Sequence, residues 1–184
     1  MMESKADMKR HLILETAKRI IHEQGITNLT LDAVAKKASI SKGGLLYHYP
    51  SKEALMKGIA IAIFEDLENC MAEYAEKDPI EKGKWTRAMI EVTKDDLEHN
   101  AELNVAVMAS SLLDEAVAES ISNSYQTALT KLDNDGISPI TASVIRLALD
   151  GLYYSQMLGV APLNNTRQRA VLDQLMQMTR QGDI

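Results

Sequence analysis

The chain has 184 residues, 46% of them apolar, which is enough for one large or two small domains with a packed core and excludes a disordered tail. A single cysteine, Cys70, excludes a disulfide framework, and the charged opening of the chain lacks the apolar stretch of a signal peptide or membrane span, so a reducing cytoplasm is expected. The formal charge of −6 is unevenly spread: residues 1–57 hold ten Lys+Arg against six Asp+Glu (+4), and residues 58–184 hold ten against twenty (−10), a basic head suited to phosphate on an acidic body that phosphate repels.

Leu12, Ile13, Ala17, Ile20 and Ile21 fall at helical spacing and predict a first helix over about residues 9–24, ended by Gly25. Thr30 is placed to cap a second helix with Leu31, Val34, Ala35 and Ala38 on one face, and Ser41 to cap a third beginning at Lys42. The connection Ala38-Ser39-Ile40-Ser41 is short enough to hold the third helix across the second, with Ile40 between them. This reads as a helix-turn-helix, whose second member is the one that enters the major groove of DNA. Pro50 closes it, and Ser51 caps a long fourth helix carrying Leu55, Ile59, Ala62, Ile63 and Leu67 to about residue 76. That helix connects two domains, residues 1–51 and 52–184.

Further along, Asp78-Pro79-Ile80-Glu81 supplies a capping aspartate, proline at the first helical position and glutamate at the third, predicting a fifth helix to about residue 100. Residues 102–133 are helical in pattern, with Asp114 a candidate cap between a short and a longer helix. Asp135-Gly136 is a turn, and Ser138-Pro139 opens a helix whose Ile140, Val144, Ala148, Tyr153 and Met157 leave it apolar around much of its circumference, up to a stop at 159–163. Asn165-Thr166-Arg167-Gln168 is read as the box that starts a last helix, with Val171, Leu172, Leu175, Met176 and Met178 along it. No strand pattern or repeat occurs, so the fold class is all-α.

The first helix, the helix-turn-helix and the run Tyr47-His48-Tyr49-Pro50-Ser51-Lys52-Glu53-Ala54-Leu55 together resemble the N-terminal domain of TetR/AcrR-family transcriptional regulators over roughly residues 8–58. The resemblance implies a three-helix DNA-binding domain joined to a helical ligand-binding and dimerisation domain. It further implies a homodimeric repressor that holds a palindromic operator and lets go when a small-molecule effector, bound between the fourth and seventh helices, tilts the fourth.

Lys42, in the first turn of the reading helix, can reach a guanine edge or a phosphate. Gly43 and Gly44 let the backbone approach another surface closely. The family often has a hydroxyl residue where this chain has Gly44 and an aromatic where it has Leu46, departures that shift the expected readout toward contact of Leu46 with a thymine methyl and toward DNA shape. By resemblance Tyr47 and His48 lie on the DNA backbone, while Tyr49 packs inside the head. Thr30 and Ser41 join this surface as caps that can also donate to phosphate. Ser51 and Lys52 stand at a helix N-terminus, where free N–H groups and the dipole already favour an anion.

No catalytic residue, metal or cofactor is expected: His11, His22, His48 and His99 are dispersed, Cys70 has no histidine near it in sequence, and no phosphate-cradling loop is present. The rival reading is a helical enzyme or ligand-binding bundle in which the helix-turn-helix is only a packing unit. For the effector, Met71, Tyr74, Trp85, Met89, Met108 and Tyr125 are the candidate lining residues, any of which is also an ordinary core residue. The acidic balance favours an apolar effector, cationic before anionic. Dimerisation is expected through about 139–158 and 166–180, the apolar excess of the former and the stripe Leu172, Leu175, Met176 of the latter pairing about a two-fold axis into a four-helix bundle.

Overall fold

The computed structural model describes residues 4–99, 103–104 and 115–180, and among them every regular element is helical. In chain order these are α1 (Lys5–Gln24), a 3-10 turn (Ile26–Asn28), α2 (Leu31–Lys37), α3 (Lys42–His48), α4 (Lys52–Lys77), α5 (Lys84–His99), α6 (Glu115–Asp133), α7 (Pro139–Leu158) and α8 (Asn165–Met178). Asp114, the candidate cap, and Met108, a candidate ligand residue, lie outside the described residues. None of the described helices is long and apolar enough to cross a membrane. The chain packs as two units, one formed by residues up to Ile63 with part of 102–121, the other by the remainder from Phe64 onward.

In the first unit α1 starts a turn earlier than its apolar spacing predicts. Ser4 caps it, accepting from the Asp7 amide at 3.1 Å and donating to the Asp7 carboxylate at 2.5 Å, a polar signal that hydrophobic periodicity does not register. Ile13, Ala17, Ile20 and Ile21 bury completely against Leu29, Val34, Leu45, Leu55 and Ile59. Each large apolar side chain sealed in this way contributes about 1.5–3 kcal/mol before entropy is charged against it. Leu12, which the pattern puts on the buried stripe, is 44% exposed, and Thr16 occupies an inward position instead.

The turn of the helix-turn-helix is a Schellman stop. Ile40 N–H donates back to the Ala35 carbonyl (3.0 Å), Ser39 N–H to that of Lys36 (3.2 Å), and Ser39 takes φ +55°. Ile40 then tucks into the core, as the short connection requires.

In the second unit α5 packs on α7 and α8 around Met71, Ile90, Ile145, Leu149, Leu172 and Leu175. Here two helix starts differ from those that the sequence predicts. Asp78 does accept from the Ile80 amide (2.9 Å), but its other oxygen takes the Arg87 guanidinium at 2.6 Å, and the helix does not begin until Lys84, after Gly83 at φ +80°. The α5 cap comes instead from Asp135, whose carboxylate accepts from the amides of Trp85 (3.0 Å) and Thr86 (2.7 Å) and from the Thr86 hydroxyl (2.8 Å). At α8 the capping side chain is Asn164, accepting from Arg167 N–H at 2.9 Å, one residue ahead of the expected box.

Candidate nucleic-acid interface

Three hydroxyl caps frame the head. Thr30 accepts from Ala33 N–H, Ser41 from Gly44 N–H and Ser51 from Ala54 N–H, each at 3.1 Å. They set the starts of α2, α3 and α4, so Lys42 and Lys52 each occupy the first position of a helix and both are exposed. The space above Gly43 is open, whereas a Cβ on Gly44 would stand 3.0 Å from Ser41 Oγ, against the α3 cap itself. Leu46 is half-buried.

Tyr47 is 82% exposed, more than any other exposed large hydrophobic residue of the head among those described, and its ring meets the His48 ring edge-on at 5.0 Å. His48 is half-buried with Nδ1 sealed and without a hydrogen-bond partner. Burial of the ring, and then the positive charges of Arg10 and Lys9, hold its pKa below the ordinary histidine value. Those two α1 residues therefore add their field to the surface of Tyr47 and His48, a contribution that the distance in sequence conceals.

Two further residues escape a reading by motif. Asp32 of α2 pairs with Lys42 at 2.9 Å across the turn, so the lysine at the start of α3 is held by a neighbour in the free protein. Both partners are largely exposed, and exchanging such a pair for a phosphate costs under about 1 kcal/mol. Gly58 of α4 is the other. A Cβ there would lie 2.6 Å from Tyr49 Cε1 and 3.1 Å from Leu14 Cδ2, so the glycine leaves the berth into which Tyr49, the residue closing α3, is packed.

The candidate effector residues of the second unit are placed differently from one another. Met71 and Met89 are sealed in the core. Tyr74 donates to Asp95 at 2.5 Å, a bond that, with burial, has its phenol pushed up to about 12. Tyr125 donates to Asp150 at 2.7 Å; burial first and the Asp150 charge second raise its pKa. Trp85 lines an open groove of about 600 Å³ with Thr127, Thr130 and Asn134, and Lys131 Nζ sits 4.6 Å above its ring centre.

One face of α7 is buried through Ala142, Ile145, Leu149 and Leu152, and the face opposite is also apolar yet uncovered. Ile140 (74% exposed), Val144, Leu147 (58%), Tyr154 and Leu158 (63%) form this outer stripe, with open space above Gly151 in its middle. The α8 stripe is not part of it: Leu172 and Leu175 face their own core, and the exposed side of α8 is polar. Among the described residues no group of three or more His, Cys, Asp or Glu could hold a metal ion.

The profile for "Bacterial regulatory proteins, tetR family" matches residues 13–59, and that for "Tetracyclin repressor-like, C-terminal domain" matches residues 83–180. The HTH-type transcriptional regulator UidR of Escherichia coli is 33% identical over 130 residues, a match that covers 68% of this chain and 63% of that protein's length. Among solved structures, the multidrug binding protein EbrR complexed with ethidium superposes with a TM-score of 0.69 at 21% identity, covering 91% of this chain and 98% of the other. Salmonella enterica GusR does so with a TM-score of 0.63 at 21% identity over 97% and 98%.

Proposed function

Because the chain belongs to the TetR family of bacterial regulatory proteins, we propose that it is a sequence-specific DNA-binding transcriptional regulator, a homodimeric repressor released by a small molecule. The observation that carries the reading is the head itself. Lys42, Gly43, Tyr47 and Lys52 are exposed around the ends of three capped helices, on the basic third of an otherwise acidic chain. In this reading residues 1–51 bind DNA. Lys52 and the Ser51-capped end of α4 receive one phosphate, Tyr47 and His48 others, and α3 presents Lys42, Gly43 and Leu46 to base edges. Thr30, Ser41 and Gly44 hold that helix at its angle and supply donors to the backbone.

Residues 52–184 dimerise and receive the effector. A second copy covers the outer stripe of α7, and two heads related by a two-fold axis suit a palindromic site. An effector that prefers the DNA-free arrangement releases the operator in proportion to its difference in affinity between the two states. Such a protein works in the cytoplasm and needs neither catalysis nor a cofactor.

The test is anisotropy titration of labelled promoter fragments at several salt concentrations. Affinity falls steeply with salt, and Lys52→Ala lowers the slope by about one while weakening all sequences alike; Lys42→Ala changes the preference among sequences. If no fragment binds with a salt-dependent affinity, the helix-turn-helix is a packing unit and the helical-bundle reading takes its place.

A further inference from the structure

Lys42 and Lys52 hold equivalent places in the head, each the first residue of a helix capped by a serine hydroxyl, but their surroundings differ. Lys52 makes no ion pair among the described residues, so its charge is free to neutralise a phosphate. The Lys42 ammonium instead donates to both oxygens of the Asp32 carboxylate, at 2.9 Å and 3.1 Å. Asp32 is the one acidic residue between positions 29 and 52, stands second in α2, and has 72% of its side chain exposed. Thr30 already caps that helix through Ala33 N–H, and an exposed ion pair adds little to stability. Neither capping nor the strength of the fold accounts for a carboxylate on the surface that meets DNA.

Its effect on Lys42 does. Parting the pair is cheap by itself, but a lysine that moved to a phosphate would leave Asp32 as a bare negative charge in the field of the duplex. An ammonium carries three N–H donors, of which the carboxylate takes two. The third can reach guanine O6 or N7 without the pair being given up.

We propose that Asp32 is a positioning residue for sequence selectivity: it withholds Lys42 from phosphate and leaves the remaining donor for a guanine edge. The proposal rests on the DNA-binding reading, to which it adds the residue that turns one lysine of the head from a general clamp into a reader.

The test titrates the full chain, by fluorescence anisotropy, with two duplexes of equal length and composition, one enriched from a random pool by the unsubstituted protein and the other a shuffled control. Asp32→Asn frees Lys42 for phosphate, so it binds the control about tenfold more tightly and with a salt slope steeper by about one. It gains little on the enriched duplex, so the ratio of the two affinities drops several-fold. A second enrichment with Asp32→Asn relaxes the preference at one guanine, the same base pair that Lys42→Ala relaxes, whereas Asp32→Glu, which keeps the charge, retains it. Equal gains on both duplexes, no gain on either, or a guanine preference that survives Asp32→Asn overturns the proposal. A role of Asp32 confined to the start of α2 would move the unfolding midpoint and leave the ratio where it was. Should Asp32→Asn fail to fold, Asp32→Ser, also suited to a helix start, repeats the comparison. If the unsubstituted chain enriches no duplex and binds none with a salt-dependent affinity, the regulator reading falls and this proposal with it; clear enrichment with an unmoved ratio removes the proposal alone.

Discussion

A methyl group on Gly58 would need the space that Tyr49 fills at 2.6 Å, and Tyr49 is the residue that closes α3. Gly58→Ala is therefore expected to destabilise the chain by about 1–3 kcal/mol in urea unfolding despite the better helix propensity of alanine, and to weaken DNA binding by loosening the end of α3. His48 makes a second residue-level prediction. Its pKa in the folded chain lies below the ordinary value, through burial and then Arg10 and Lys9, so the folded state binds the proton less readily than the unfolded one. Its contribution to stability is complete above the unfolded value and is lost as the pH falls from that value toward the folded one. A phosphate beside the ring reverses the preference and favours the protonated form. Operator affinity should consequently rise as the pH is lowered from 7.5 toward 5.5, by at most about tenfold per unit for one linked proton, and His48→Gln should flatten the profile. A profile unchanged by that substitution would exclude proton uptake by His48 on DNA binding.

At the level of elements, the second unit depends on a cap borrowed from far along the chain. Asp135 satisfies two amides and a hydroxyl at the start of α5, and the Gly83 amide donates to its backbone carbonyl at 2.7 Å. Asp135→Ala leaves buried donors unmade and should cost about 2 kcal/mol or more in urea unfolding; an undiminished midpoint would mean that the loop is not what holds α5. Asp78 acts by another route. The Arg87 guanidinium holds its carboxyl below the usual aspartate range, against the opposing effect of burial, so this pair stabilises fully above the unfolded aspartate value and fades as acid takes the pH through the lower folded one. Arg87 also donates to the carbonyls of Lys82 and Ile80 and to the Thr179 hydroxyl just beyond α8, so the strap before α5 and the end of α8 share one buried cation.

For the molecule as a whole the question is which apolar surface meets a second copy. Leu147 is exposed in the middle of the outer α7 stripe and Leu175 is buried within its own unit. Leu147→Glu should yield a folded chain that sediments as a monomer and binds a palindromic fragment far more weakly, since each head then holds only half of the contacts. Leu175→Glu should instead lower the unfolding midpoint severely, as an unpaired charge in a core does. A monomeric but stable Leu175→Glu protein would return the interface to α8.

The local signals of this sequence determined what they physically control. Thr30, Ser41 and Ser51 announce helix starts because each cap is completed by an amide three residues on, and the basic head and acidic body need only a count of charges. The all-α class, the helix-turn-helix and the family resemblance follow from such short-range features. Tertiary structure decided what lies beyond that range. Asp78 looked like the α5 cap and Asp135, some fifty residues away, is the one that serves; a capping residue is defined by where its oxygens arrive, not by its place in the chain. Periodicity says that a helix has an apolar face, but α7 has two and α8 has one, and only packing tells which is spent on the unit's own core.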